Sequence, residues 1–247
     1  MGETDLRIFA YLSPFVPVDL RRFFIMKLHR DRSPSTVKKL TVTAMLAALA
    51  FLLVATIRIP VVMFLKYEPK DIIITIGGFI YGPATAALIS LIVAIVEMVT
   101  ISTEGIIGCI MNFLSSAAFS VPAAIIYSKK RNLKGAVIGL ITGALSVCAT
   151  MMLWNYLITP LYMKVDRAQI AAMLPTMFLP FNLLKATLNA ALTMIIYKPT
   201  VKVLRAARLL PASDSTKKGG TMAIVAVISA VLVAAVCIFL IIYWQTV

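Results

Sequence analysis

The stretch DIIITIGGFIYGPATAALISLIVAIVEMVTI, Asp71–Ile101, decides the fold. It is apolar almost throughout, yet Tyr81-Gly82-Pro83 interrupts it. Gly and Pro together mark a turn, and Pro suits the first position of a new helix. The piece before the turn, Asp71–Tyr81, reaches only about 16 Å as a helix. That is about half of the ~30 Å hydrocarbon layer. Either it is a short helix of its own, or it joins Pro83–Ile101 in one bent span. The first reading reverses the direction of every later segment relative to the second.

Charge separates the two. Around this stretch lie five longer apolar segments: Leu40–Ile57, Ile106–Tyr127, Leu133–Leu157, Leu174–Tyr197 and Met222–Trp244. With Asp71–Tyr81 as a separate helix, residues 1–39, 128–134 and 198–221 share one side. They hold 8, 4 and 6 Lys and Arg, against 5 in the opposite loops (Arg58, Lys66, Lys70, Lys164, Arg167). The positive-inside rule then places the N-terminus in the cytoplasm. Fusing the two pieces would send SKKRNLK and KPTVKVLRAARLL outside and abolish the bias. The expectation is therefore an all-α, polytopic helical bundle: six helices, with a further span at Met222–Trp244 ending outside.

Composition agrees. Of 247 residues, 61% are hydrophobic, and mean hydropathy is +0.96, where a soluble domain is nearer ~45–50% apolar. The net charge of +14 sits between apolar runs, so topology explains it and nucleic acid does not. Cys109, Cys148 and Cys237 lie in apolar runs without metal-ligand spacing. His29 is the single histidine, in a basic flank. Neither a metal site nor a catalytic triad has support, and GxxxxGK[ST] is absent, so no P-loop binds ATP. The expectation is no catalytic residue, no metal and no cofactor. Residues 1–36 form a basic cytoplasmic or interfacial segment, 211–221 a linker, and 222–247 the extra helix.

Ionisable groups inside lipid are costly, about 3 kcal/mol on insertion scales, and mark function or partners. In LPFNLLKATLNAALTMIIY (Leu179–Tyr197), Asn182, Lys185 and Asn189 share one helical face. Glu97, Asn112, Asn155, Asn182 and Lys185 all read as lying near the outer ends of their helices, with Asn189 at mid-depth. That convergence predicts a polar pocket open to the outside. Phe64, Tyr67, Trp154, Tyr156, Phe178 and Phe181 lie nearby and could stack on a flat ring or form an interfacial belt. Lys185 could equally be half of a structural pair with Glu97. Gly135, Gly139 and Gly143, Gly78 with Gly82, and Ala44 with Ala48 are small-residue stripes that let helices approach closely. Internal packing explains most such stripes. Lys198–Leu210 reads as a basic amphipathic helix at the cytoplasmic surface.

Four motifs in order, FLKYEPKDIIITIGGFIYGP, GIIGCIMNFLSSAAFSVPAAIIYSKKR, WNYLITPLY and LPFNLLKATLN, resemble the riboflavin-specific S components of energy-coupling factor (ECF) transporters. The resemblance runs over roughly Val37–Leu210, making residues 37–210 a six-helix S-component domain. It implies riboflavin as transported ligand, held near the outer face. Asn155, Asn182 and Lys185 would be flavin contacts, with Asn112, Tyr67, Phe64 and Glu97 around them and the loop Phe64–Asp71 as a lid. It implies that the chain lies in the cell membrane with a transmembrane coupling protein, met by Ala44 and Ala48, and two cytosolic ATPases as partners. Met222–Trp244 and the basic N-terminus depart from the six-helix pattern. Alternatives are an S component for another vitamin, or a secondary transporter with Glu97–Lys185 as proton relay.

Overall fold

The structure, a computed structural model, describes residues 36–62 and 65–206. All but the last residue of the expected segment 1–36, the linker 211–221, the extra helix at 222–247 with its span Met222–Trp244, and Cys237 lie outside the described residues. Helix α1 is Thr36–Thr56. A two-stranded antiparallel hairpin follows, β1 Ile59–Val62 and β2 Leu65–Tyr67, with Ile59 opposite Tyr67 and Pro60 opposite Lys66. This hairpin is the one element the all-helical expectation lacked. Next come α2 Lys70–Tyr81, α3 Pro83–Thr100, α4 Gly105–Lys129 and α5 Leu133–Leu157. Short helices α6 Thr159–Met163 and α7 Arg167–Met173 lead into a π turn, Leu174–Phe178, and α8 Leu179–Ala206.

Gly82 makes the break that the sequence predicted. Its φ of +98° is open to glycine, and Pro83 starts α3 behind it. α2 is therefore separate and too short to cross. Five helical runs among the described residues are long and apolar enough to do so: Thr36–Thr56, Pro83–Thr100, Gly105–Lys129, Leu133–Leu157 and Arg167–Tyr197. The last one begins earlier than the expected Leu174, because the π turn carries the helix through Pro175 without ending it. The helix also runs on past Tyr197 to Ala206, through the stretch read as a surface helix.

α2 is the central post of the bundle. Ten of its twelve residues, Lys70 to Phe79, are buried. Ile73 and Ile74 pack with Val42, Leu46 and Ala50 of α1 and with Ala86, Ile89 and Val93 of α3. Phe79 packs with Phe119 and Tyr127 of α4, Leu140 and Met151 of α5, and Ala186 and Met194 of α8. A Cβ on Gly78 would stand 2.9 Å from both Ala86 and Ala124, so a small residue is required. Gly139 and Gly143 lie against the α4 backbone at Ala123 and Phe119, which assigns the α5 stripe to internal packing. Gly82 has open space around it, so its spacing from Gly78 reflects the turn and no helix contact.

The surface is the reverse of a soluble protein's. Leu40, Met45, Leu49, Leu52, Leu88, Ile141, Leu145 and Leu153 are exposed, while Lys70, Asp71, Glu97 and Asn189 are each no more than 1% exposed. An apolar exterior over a polar interior is what lipid as solvent demands.

Candidate functional site

The buried polar groups form two linked chains below the hairpin. The first starts at Arg58, whose Nε is 3.2 Å from Glu68 and whose guanidinium donates to the Ile101 carbonyl at 3.4 Å. Glu68 accepts from Lys70 at 3.0 Å. Lys70 also donates to both oxygens of Glu97, at 2.6 and 2.8 Å, and the Asn112 amide donates to Glu97 at 2.9 Å. Glu97 is fully buried yet sits between a cation and an amide, the condition under which a buried charge is tolerable.

The second chain is centred on Asp71. Ser116 donates to its Oδ1 at 2.5 Å, and the Asn189 amide donates to its Oδ2 at 3.0 Å. Lys185 Nζ lies 3.5 Å from the same Oδ2 and donates to Ser115 at 3.2 Å. The Tyr67 hydroxyl, from the hairpin, donates to Asn189 Oδ1 at 3.0 Å. Three anions (Glu68, Asp71, Glu97) thus face three cations (Arg58, Lys70, Lys185), and the site is close to neutral.

Depth follows from helix rise. Ser116 is eleven residues into α4, about 16 Å below its start. α2 therefore begins deep in the bundle, and the hairpin connection descends to meet it. The expectation that the costly groups share one outer level needs correcting for Lys185, which meets Asp71 at mid-depth beside Asn189, the residue expected there. The paired reading of Lys185 and Glu97 is corrected too. The cation on Glu97 is Lys70, which reaches it from the start of α2, and Lys185 pairs with Asp71.

The other expected residues are placed as follows. Asn155 is buried, donating to the Met151 carbonyl at 2.7 Å and accepting from Thr159 at 2.9 Å. Asn182 is buried and donates to the Phe178 carbonyl at 2.8 Å. Neither bonds to Lys185, Glu97 or Asn112. Phe64 lies outside the described residues. Phe178 is fully buried with Ile170 and Met177, and Leu65 of the hairpin packs on that cluster. Tyr156 is 39% exposed and lies under the Arg167 guanidinium at 5.7 Å. The Trp154 indole N–H is buried and has no hydrogen-bond partner among the described residues. Ala44 and Ala48 are exposed on α1, so helix packing among the described residues does not account for their stripe.

A cavity of about 310 Å³ opens at the hairpin end, lined by Thr103, Glu104, Ile107, Gly108, Met111 and Tyr162. Met111 adjoins Asn112 in sequence, and Tyr162 lies near Thr159, the partner of Asn155. Lys185 and Asn182 are not part of its lining.

Sequence reasoning missed Glu68, Lys70, Asp71, Ser115 and Ser116. Lys70 counted as a loop cation and Asp71 as the edge of a helix. A signal was present: charges in YEPKD directly precede a helix too short to cross, so their position must lie below the surface. Among the described residues no group of His, Cys, Asp and Glu could hold a metal ion.

Comparison with known proteins points in one direction. The family model described as "ECF transporter, substrate-specific component" matches residues 38–197. A protein described as "Riboflavin transporter FmnP" from Bacillus subtilis (strain 168) is 28% identical over 188 residues, covering 70% of this chain and 98% of its own length. A "Riboflavin transporter RibU" from Staphylococcus aureus (strain TCH60) is 27% identical over 177 residues, 68% of this chain and 93% of that protein. The solved structure described as "Structure and mechanism of the S component of a bacterial ECF transporter" superposes with a TM-score of 0.59 at 25% identity, covering 69% of this chain and 99% of that one.

Proposed function

The chain belongs to the family of ECF transporter substrate-specific components, and from that premise we propose that it is the membrane subunit that binds riboflavin and hands it to an ATP-driven module. The relatives named as riboflavin transporters support the ligand. It is a multi-pass membrane protein. The Lys and Arg distribution puts the hairpin end outside and the N-terminus in the cytoplasm. Riboflavin then enters beside the hairpin, where the cavity opens.

One observation carries the ligand assignment: the two buried lysines are held differently. Lys70 makes three contacts of 2.6–3.0 Å with carboxylate oxygens, enough for all three ammonium protons. Lys185 stands 3.5 Å from its carboxylate, well beyond the ~2.7–2.9 Å of a charge-assisted hydrogen bond. Its remaining contact is a neutral hydroxyl at 3.2 Å. Lys185 is also 11% exposed where Lys70 is 1%. It is a charged donor held in place but not saturated, suited to an oxygen of the flavin ring.

Asn182 adds the complementary groups. One amide proton goes to Phe178, and its second N–H and Oδ1 make no bond to another described residue. Donor and acceptor side by side suit the uracil-like edge of the ring system. Asn155 has one further amide proton to offer. The hairpin, seated by Tyr67 and Leu65, closes over the ring as a lid.

The chain lacks a nucleotide-binding loop, so transport requires partners: a transmembrane coupling protein and two cytosolic ATPases. The exposed Ala44 and Ala48 form a flat stripe on which a coupling helix can pack. The test is a titration of the detergent-purified chain with riboflavin, followed by quenching of flavin fluorescence. Saturable, one-to-one quenching is expected, and its absence refutes the reading.

A further inference from the structure

Lys185 cannot act as a ligand donor unless something fixes it. A free lysine has four rotatable bonds and a strongly hydrated head. In this structure one carboxylate does the fixing, and the same carboxylate also reaches the lid. Resting on the riboflavin reading above, we propose that Asp71 is the positioning residue for Lys185. Through Asn189 it ties that lysine to Tyr67, so that the ammonium is set for ligand when the hairpin is seated.

The geometry is specific. Asp71 is 1% exposed and anchored on the side away from Lys185 by Ser116, at 2.5 Å. The Thr75 hydroxyl bonds its backbone carbonyl at 2.7 Å. Its Oδ2 faces both Lys185 and the Asn189 amide. Asn189 lies one turn beyond Lys185 on α8, so both side chains reach the same oxygen from one face. The other end of the Asn189 amide accepts the Tyr67 hydroxyl. Lys185, Asp71, Asn189 and the hairpin are thus consecutive in one polar series, joined by one ion pair and two hydrogen bonds, crossing from α8 to α2 and back; on the riboflavin reading the ligand meets its Lys185 end. Polar groups in so buried a series are costly to leave unpaired. Displacing Tyr67 leaves Asn189 Oδ1 without that donor, and Asn189 and Lys185 share the oxygen that would then readjust. A ligand oxygen that draws Lys185 away from Asp71 loads the same series from its other end.

Two readouts test this in the full-length chain in detergent. The first is a double-mutant cycle of riboflavin affinity with Asp71→Asn and Lys185→Ala. Asp71→Asn keeps the shape and should weaken binding about tenfold when Lys185 is present. It should add little once Lys185 is Ala. Penalties that add in full would make Asp71 a merely structural residue and overturn the proposal.

The second is hydrogen exchange of the amides in residues 59–67 without any ligand. Lys185→Ala, Asp71→Asn and the milder Tyr67→Phe should each speed exchange there. Tyr127→Phe, which removes a hydroxyl contact with Tyr197 at 2.7 Å near the other end of the bundle, should not. Unchanged hairpin exchange in Lys185→Ala, or equal acceleration by Tyr127→Phe, would overturn the coupling. This arm needs no riboflavin, so wild-type chain that fails to bind the flavin sinks the function while exchange still decides the coupling. Tyr67→Phe also answers if Asp71→Asn does not fold.

Discussion

Lys70 and Lys185 are chemically identical, and their surroundings hold them differently. Replacing Lys185 by Ala removes an unsaturated donor, so riboflavin affinity should fall by about 1.5–3 kcal/mol, the value of a hydrogen bond to a charged group. Fluorescence titration of the variant measures it. Replacing Lys70 by Met leaves Glu97, fully buried, without its cation. Breaking a buried pair from one side costs about 3–5 kcal/mol. Thermal unfolding in detergent should show that loss directly. Lys185 and the two amides Asn155 and Asn182 were legible in the sequence, because polar residues in lipid-length apolar runs stand out. The partners Asp71 and Lys70 were not. They sit at the junction of loop and helix, where a charge needs no explanation until the depth of that junction is known.

At the scale of elements, two glycines test different physics. Gly139 lies against α4, where a Cβ would come within 2.7 Å of the Ala123 carbonyl oxygen. Gly139→Val should therefore force α4 and α5 apart and cost about 1–3 kcal/mol. Gly82 has no neighbour within 4 Å but a φ of +98°. Gly82→Ala should cost about 1–3 kcal/mol through backbone strain alone, because φ +98° with ψ 173° is a region essentially reserved for glycine. Unfolding midpoints of the two variants check both, and a Gly139→Val variant as stable as the parent chain would contradict the packing described. Turn chemistry and helix length made the α2–α3 break readable from YGP. The β-hairpin was not readable. Its strands are four and three residues long with Pro60 inside, too short for an alternating pattern. The start of the last span at Arg167, ahead of the expected Leu174, was missed for a related reason: proline argues for a boundary, and a π turn lets the helix pass it.

On the scale of the whole molecule, charge counting argued for α2 as a helix separate from α3 although no single loop was decisive, and the chain breaks at Gly82 accordingly. What it could not supply was the descent of the hairpin connection to mid-depth, since Lys and Arg counts record sides and not levels. The exposed α1 stripe belongs to this scale. Ala44→Leu and Ala48→Leu should leave folding and riboflavin affinity intact but reduce cellular uptake, because a bulkier side chain holds a coupling helix away. Uptake assays paired with titration of the purified variants distinguish these outcomes. The central claim, that the groups gathered beneath the hairpin hold one flavin, is tested most directly by titrating purified chain with riboflavin in the presence of excess thiamine or biotin. Stoichiometric quenching that neither competitor reverses is the predicted result. Quenching that is absent, or that either vitamin abolishes, would contradict it.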